Sequence, residues 1–170
     1  MGINKNNIEI YCVDQLNNWV LKSQKSAIYE TIFGIFAVGL FSILMFQKSN
    51  GNYLWFLLGV LGMMFYLGLY TYGGSVRRGR IINNTVKSLS FENNIMKIRT
   101  FSFNILGLKN LPEKVIEINS EKFEIKNCDY PIMDKKTFKD KVICVLHDND
   151  ETYYFHRQFF PNKIDEYFNK

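Results

Sequence analysis

Cys144, His147 and His156 are the residues whose types and spacing come nearest to a metal-ligand set. Their setting argues against that use: KVICVLH reads as a buried strand in which Cys144 is a small hydrophobe. Glu30 is the one charge inside a long apolar run and is a conceivable proton relay. It lies in the first turn of that run, however, within reach of lipid headgroups. At the bilayer centre a carboxylate would cost about 2.5–3.5 kcal/mol. DNDE (Asp148–Glu151) has the composition of a calcium loop but is explained as a hairpin turn without an ion. DKKTFKDK (Asp134–Lys141) reads as a solvated loop that can touch anionic headgroups at about 1 kcal/mol per cation. There is no glycine-rich phosphate loop, nucleophile elbow or paired-cysteine motif. No catalytic, cofactor or metal residue is therefore assigned, and the chain reads as non-enzymatic.

The elements that would carry these residues divide the chain sharply. From about Thr31 to Tyr72 it is nearly free of charge, and the rest holds almost all of it. At 170 residues there is room for one domain with attachments. The net charge of +5 is spread thinly. Residues 77–170 hold 17 basic and 13 acidic side chains, a balance suited to anionic lipid rather than to nucleic acid. Cys12, Cys128 and Cys144 have no framework spacing, so reduced thiols in a cytosol-like compartment are expected.

AIYETIFGIFAVGLFSILMF (Ala27–Phe46) and YLWFLLGVLGMMFYLGLYTY (Tyr53–Tyr72) each run about 20 residues, roughly 30 Å of helix, which is the thickness of a bilayer core. QKSNGN between them is short enough only for a tight helical hairpin. Tyr53, Trp55 and Phe46 would form one aromatic belt, and Tyr29, Tyr70 and Tyr72 the other. Neither run carries GxxxG, but Gly34, Gly39, Gly59 and Gly62 offer small surfaces for helix packing, within the hairpin or in a larger assembly. Lys48 is the lone cation at the hairpin tip. Lys22, Lys25, Arg77, Arg78, Arg80 and Lys87 lie at the other end, which places both termini on the inner side. Arg77–Arg80 is then the topological stop, with Gly73 and Gly74 letting the chain turn away. Asn83-Asn84-Thr85 is a glycosylation sequon that should not meet its enzyme on that side.

Three regions are expected: residues 1–26, a strand and an amphipathic segment; 27–72, the hairpin; and 73–170, a small, mainly antiparallel β domain of α+β type with a C-terminal helix. In the first region IEIYCV alternates as a strand does. Asp14 is a plausible N-cap for a helix bearing Leu16, Trp19 and Val20 on one face, which lies either on the membrane or on the β domain. In the last, TVKSLSFENN, IMKIRTFSFNI, KVIEINSEKFEIKN and KVICVLHDNDETYYFHRQF supply about five strands. Turns fall at Asn93-Asn94, Asn104–Gly107 and Asp148–Asp150, and PNKIDEYFNK forms the closing helix.

This layout resembles a family of small mitochondrial inner-membrane proteins involved in the biogenesis of ATP synthase and respiratory complex I. IEIYCVD, TVKSLSFENN, IRTFSFNILG with LPEKVIEI, and ETYYFHRQ carry the likeness over most of the chain. The resemblance implies a non-catalytic accessory subunit or assembly factor without cofactors. Both termini would lie in the matrix, and the partners would be other membrane subunits and anionic phospholipid. Residues 1–20 lack an Arg-rich presequence, which implies trimming, an internal import signal or expression within the organelle. The alternative is a bacterial inner-membrane protein, both termini cytoplasmic, with a pleckstrin-homology-like domain that senses ligand or lipid.

Overall fold

The computed structural model describes residues 8–49, 52–92, 95–119, 124–131, 138, 142–146 and 151–161. Two helical rods dominate it. The first, α1, is unbroken from Asp14 to Lys48. The second begins as α2 (Tyr53–Leu67), passes through a π-helical turn (Gly68–Tyr72) and continues as α3 (Gly73–Asn83). Both are long and apolar enough to cross a membrane. Only 6% and 0% of their most apolar stretches is buried within the chain, so these are not core helices of this molecule. Hydroxyls inside the apolar segments are satisfied locally. Thr31 donates to the Ala27 carbonyl at 2.9 Å, Ser42 to Val38 at 2.7 Å and Thr71 to Leu67 at 2.6 Å.

Two local expectations are corrected. Gly73 and Gly74 do not turn the chain: Gly73 has helical φ −59° and ψ −43°, and the helix runs on for three more turns. Asp14 does not cap α1; Val13 holds that position, and Asp14 is the first helical residue, where its charge suits the helix dipole.

The 35 residues of α1 span about 52 Å, some 20 Å more than a bilayer core. Its excess lies at the start, where Leu16 and Val20 are buried against the β domain rather than laid on a surface. The N-terminal strand β1 (Ile8–Tyr11) joins that domain as well, pairing antiparallel with β2 (Val86–Glu92). Next come β3 (Ile95–Thr100), β4 (Phe103–Ile105), β5 (Lys109–Leu111) and β6 (Val115–Asn119). The remaining strands are β7 (Glu124–Cys128), β8 (Val142–Leu146) and β9 (Thr152–Phe155).

These nine strands among the described residues, β1 as expected and eight where about five were expected, form three antiparallel sheets in the orders β1-β2-β3-β6, β4-β5 and β7-β8-β9. The stretch IMKIRTFSFNI breaks at Phe101-Ser102, and KVIEINSEKFEIKN divides between two sheets. Expected hairpins appear as Glu92↔Ile95 and Leu146↔Thr152 pairs, although their tips lie outside the described residues, as does the closing helix at 162–170. The turn after β4 requires left-handed backbone at Leu106 (φ 53°) and Gly107 (φ 76°), and the Asn104 side chain accepts the Gly107 amide at 2.8 Å.

One core unites the pieces. Leu16 and Val20 of α1 and Ile82 of α3 pack with Leu89, Met96, Ile98, Phe103 and Phe155. Each such side chain, fully buried, contributes roughly 1.5–3 kcal/mol. The third sheet is tied to the end of α3 through the Tyr154 amide, which donates to the Asn84 carbonyl at 2.8 Å, and through a parallel bridge between Thr85 and Tyr154. The β domain is thus mounted directly on the ends of both helical rods.

Candidate functional site

The positively charged end of the hairpin is built by α3. Arg77, Arg78 and Arg80 lie within about one turn of α3, with Arg77 and Arg80 on a shared face and Arg78 rotated away from it. Arg78 turns toward α1 and meets Glu30 with Nη1 and Nη2 each 3.4 Å from a carboxylate oxygen. Ser26 donates to the same carboxylate at 2.7 Å. Glu30 therefore ties the two rods together. Arg77 and Arg80 are exposed and, among the described residues, take part in no ion pair. Lys22 and Lys25 are exposed on α1 near the same end.

Two cavities flank Arg77. One of about 550 Å³ lies between α3 and the β domain, walled by Tyr72, Val76, Ile81, Pro131 and Tyr154, with Arg77 and Arg80 at its edge. The other, about 760 Å³, opens between the rods beside the π-helical turn. Phe33, Ala37 and Leu67 line its apolar part, and Glu30, Arg77 and Arg78 its polar end. Both include Gly73.

Gly79, between Arg78 and Arg80, has a role that the sequence did not announce. A Cβ there would stand 2.8 Å from Phe103 Cδ1 and 3.2 Å from Ile105 Cγ1. Only glycine lets α3 approach β4 this closely. Of the glycines expected to pack helices, a Cβ on Gly34 would meet Leu67 and Thr71 at 3.7 Å and one on Gly59 would meet Met45 at 3.2 Å, both between the two rods. Among the described residues, a Cβ on Gly39 or Gly62 would meet nothing within 4 Å.

Asn83 is buried, and its side-chain amide donates to the carbonyls of Phe101 and Pro112, both at 2.8 Å. It works as a joint between α3 and the loops of the β domain. The sequon it opens is closed off by that burial.

The remaining chemistry-bearing residues serve packing. His156 is buried with Tyr130 and Phe138, each ring centroid 4.4 Å away, and among the described residues Nε2 has no hydrogen-bond partner. Burial lowers its pKa to about 3, so it is neutral at physiological pH. Trp19 of α1 closes the same cluster against Phe138 at 4.6 Å. Burial also raises the Tyr130 hydroxyl well above its usual range, and that hydroxyl bonds Thr85 Oγ1 at 2.9 Å. Cys144 pairs with Cys128 in a disulfide between β7 and β8, Cα to Cα 6.1 Å, which corrects the expectation of three reduced thiols. Cys12 stays a free, buried thiol, its pKa pushed up to about 11 by burial. His147 and most of 134–141 lie outside the described residues.

No family model, curated protein or solved structure matches this chain.

Proposed function

We propose that the chain is a non-catalytic, two-span membrane protein that serves as an accessory subunit or assembly factor of a mitochondrial respiratory-chain complex. Its hairpin would lie in the inner membrane, with both termini and the β domain in the matrix. The observation that carries this reading is the outward surface of the hairpin. Phe33, Ile35, Phe36, Leu54, Trp55 and Phe65 are each at least 65% exposed, a density of apolar side chains suited to lipid or to partner helices. The aromatic side chains at both ends, and the cations gathered at one end, accord with the inner-side placement. The likeness of IEIYCVD, TVKSLSFENN and ETYYFHRQ to the mitochondrial biogenesis family is what suggests a respiratory-chain assembly as the setting. Mild-detergent extraction of native membranes, native gel separation and mass spectrometry test it. Comigration at fixed stoichiometry with a respiratory complex makes the chain a subunit, and substoichiometric comigration makes it an assembly factor. Migration near its own 20.0 kDa rejects both.

A second reading is favoured by one specific observation, the open basic rim at Arg77 and Arg80. On that reading the chain is a bacterial inner-membrane protein whose pleckstrin-homology-like cytoplasmic domain senses a ligand or lipid. It predicts a hairpin without protein partners on the same gel.

A further inference from the structure

We infer that the cavity between α3 and the β domain holds the phosphate of an anionic phospholipid, bound by Arg77 and Arg80. The inference rests on the reading that the hairpin lies in a membrane, and deepens it by naming the lipid site. Arg77 and Arg80, three residues apart on α3, are helix-surface neighbours at the rim of one cavity of about 550 Å³. Glu30 engages Arg78, but among the described residues neither Arg77 nor Arg80, which both line the cavity, is in an ion pair. A planar guanidinium matches phosphate oxygens with paired donors.

Depth and lining select a lipid over a free anion. The arginines begin five residues beyond Tyr72, the last residue of the apolar run, which sets them about 7 Å further along the helix, at headgroup level. The walls from Tyr72, Val76, Ile81, Pro131 and Tyr154 are largely apolar or aromatic and suit the glycerol and acyl part of a lipid whose phosphate stays at the two arginines. On the other side of Arg77 and Gly73, the larger cleft descends along Phe33, Ala37 and Leu67, a course suited to an acyl chain. A polar end and an apolar end adjoining at one arginine are complementary to an amphiphile.

The test is native mass spectrometry of the full-length chain in mild detergent with phosphatidylglycerol or phosphatidylcholine added. Wild type is expected to retain phosphatidylglycerol preferentially. Arg77→Gln/Arg80→Gln lowers that retention roughly 10- to 30-fold. Lys22→Gln/Lys25→Gln, which removes the same charge at the same end but outside the cavity, changes it less than about twofold. Equal losses in the two double variants overturn the site in favour of diffuse attraction. Displacement of the lipid by millimolar inorganic phosphate overturns it in favour of a soluble anion. Alkaline carbonate extraction of the same proteins from membranes is run alongside. Release of wild type there rejects the membrane reading itself, whereas retention with no lipid preference rejects only the site.

Discussion

Glu30 of α1 and Arg78 of α3 lie 48 residues apart in sequence and face each other with two nitrogen–oxygen distances of 3.4 Å. The contact sits where the hairpin meets the β domain, and Ser26 holds the carboxylate in place. It makes the only acidic residue of the apolar runs a fastener between the rods. Because both partners are partly exposed, the pair is worth little in isolation. A double-mutant cycle on Glu30→Gln and Arg78→Gln, read by thermal unfolding in detergent, should give a coupling of about 0.2–1 kcal/mol that shrinks as salt is added. A coupling of several kcal/mol would mean that the pair is fully desolvated in the folded protein.

Gly79 separates packing from helix propensity. Alanine is the better helix former by about 1 kcal/mol, yet its methyl would overlap Phe103. Gly79→Ala should therefore destabilise the protein, by about 1–3 kcal/mol in denaturant melts. Gly74→Ala, with nothing within 4 Å of the new atom, should be neutral or stabilising. If the two variants behaved alike, α3 would not be docked on β4 as described.

His156 makes stability depend on pH. Its folded pKa of about 3 lies below the ordinary value near 6.5, so the unfolded chain takes up the proton first. The stabilisation from a neutral, buried ring is complete above pH 6.5. It declines by about 1.4 kcal/mol for each unit below that, down to pH 3. His156→Phe, which suits the surrounding rings, should remove this slope while leaving stability near pH 7.5 little changed. Urea melts of both proteins at pH 7.5, 6 and 5 check it, and parallel slopes would count against the buried, neutral ring.

The cysteines should behave as two kinds. Reducing the Cys128–Cys144 bond reopens a link across 16 residues and should cost about 3 kcal/mol of stability. Cys12, buried and with a raised pKa, should resist maleimide until the protein unfolds. Mass-resolved labelling with and without reductant distinguishes them. Rapid reaction of Cys12 in the folded state would contradict its place in the core.

What the sequence made legible was whatever depends on local pattern. Two 20-residue runs with Glu30 as their one charge read directly as long apolar helices, and alternation in VKSLSFE and TYYF marks strands that the structure pairs. Contacts across the chain were not legible. Nothing in DQLNNWVLKSQKS shows that Leu16 and Val20 will meet Phe103 and Phe155 rather than a membrane surface, because an amphipathic stripe fits either. Gly73 and Gly74 looked like a break since glycine disfavours helix, but the continuous backbone and the docking of α3 override that preference. Gly79 in VRRGR could have drawn attention as a glycine within a helix, a position that usually has a packing reason. Cys128 and Cys144 sit 16 residues apart on different strands, and their pairing becomes visible only once β7 is placed beside β8.

The claim on which the account turns is that the rods form a membrane hairpin with the β domain on the cation-rich side. An impermeant maleimide applied to intact and to opened membranes tests it, using Ser49→Cys at the hairpin tip and Leu108→Cys at the 77% exposed turn after β4. Ser49→Cys is expected to label from outside in intact membranes, and Leu108→Cys only once they are opened. The opposite pattern would contradict the topology. It would place the β domain and its Cys128–Cys144 bond in an oxidising compartment, where disulfides ordinarily persist.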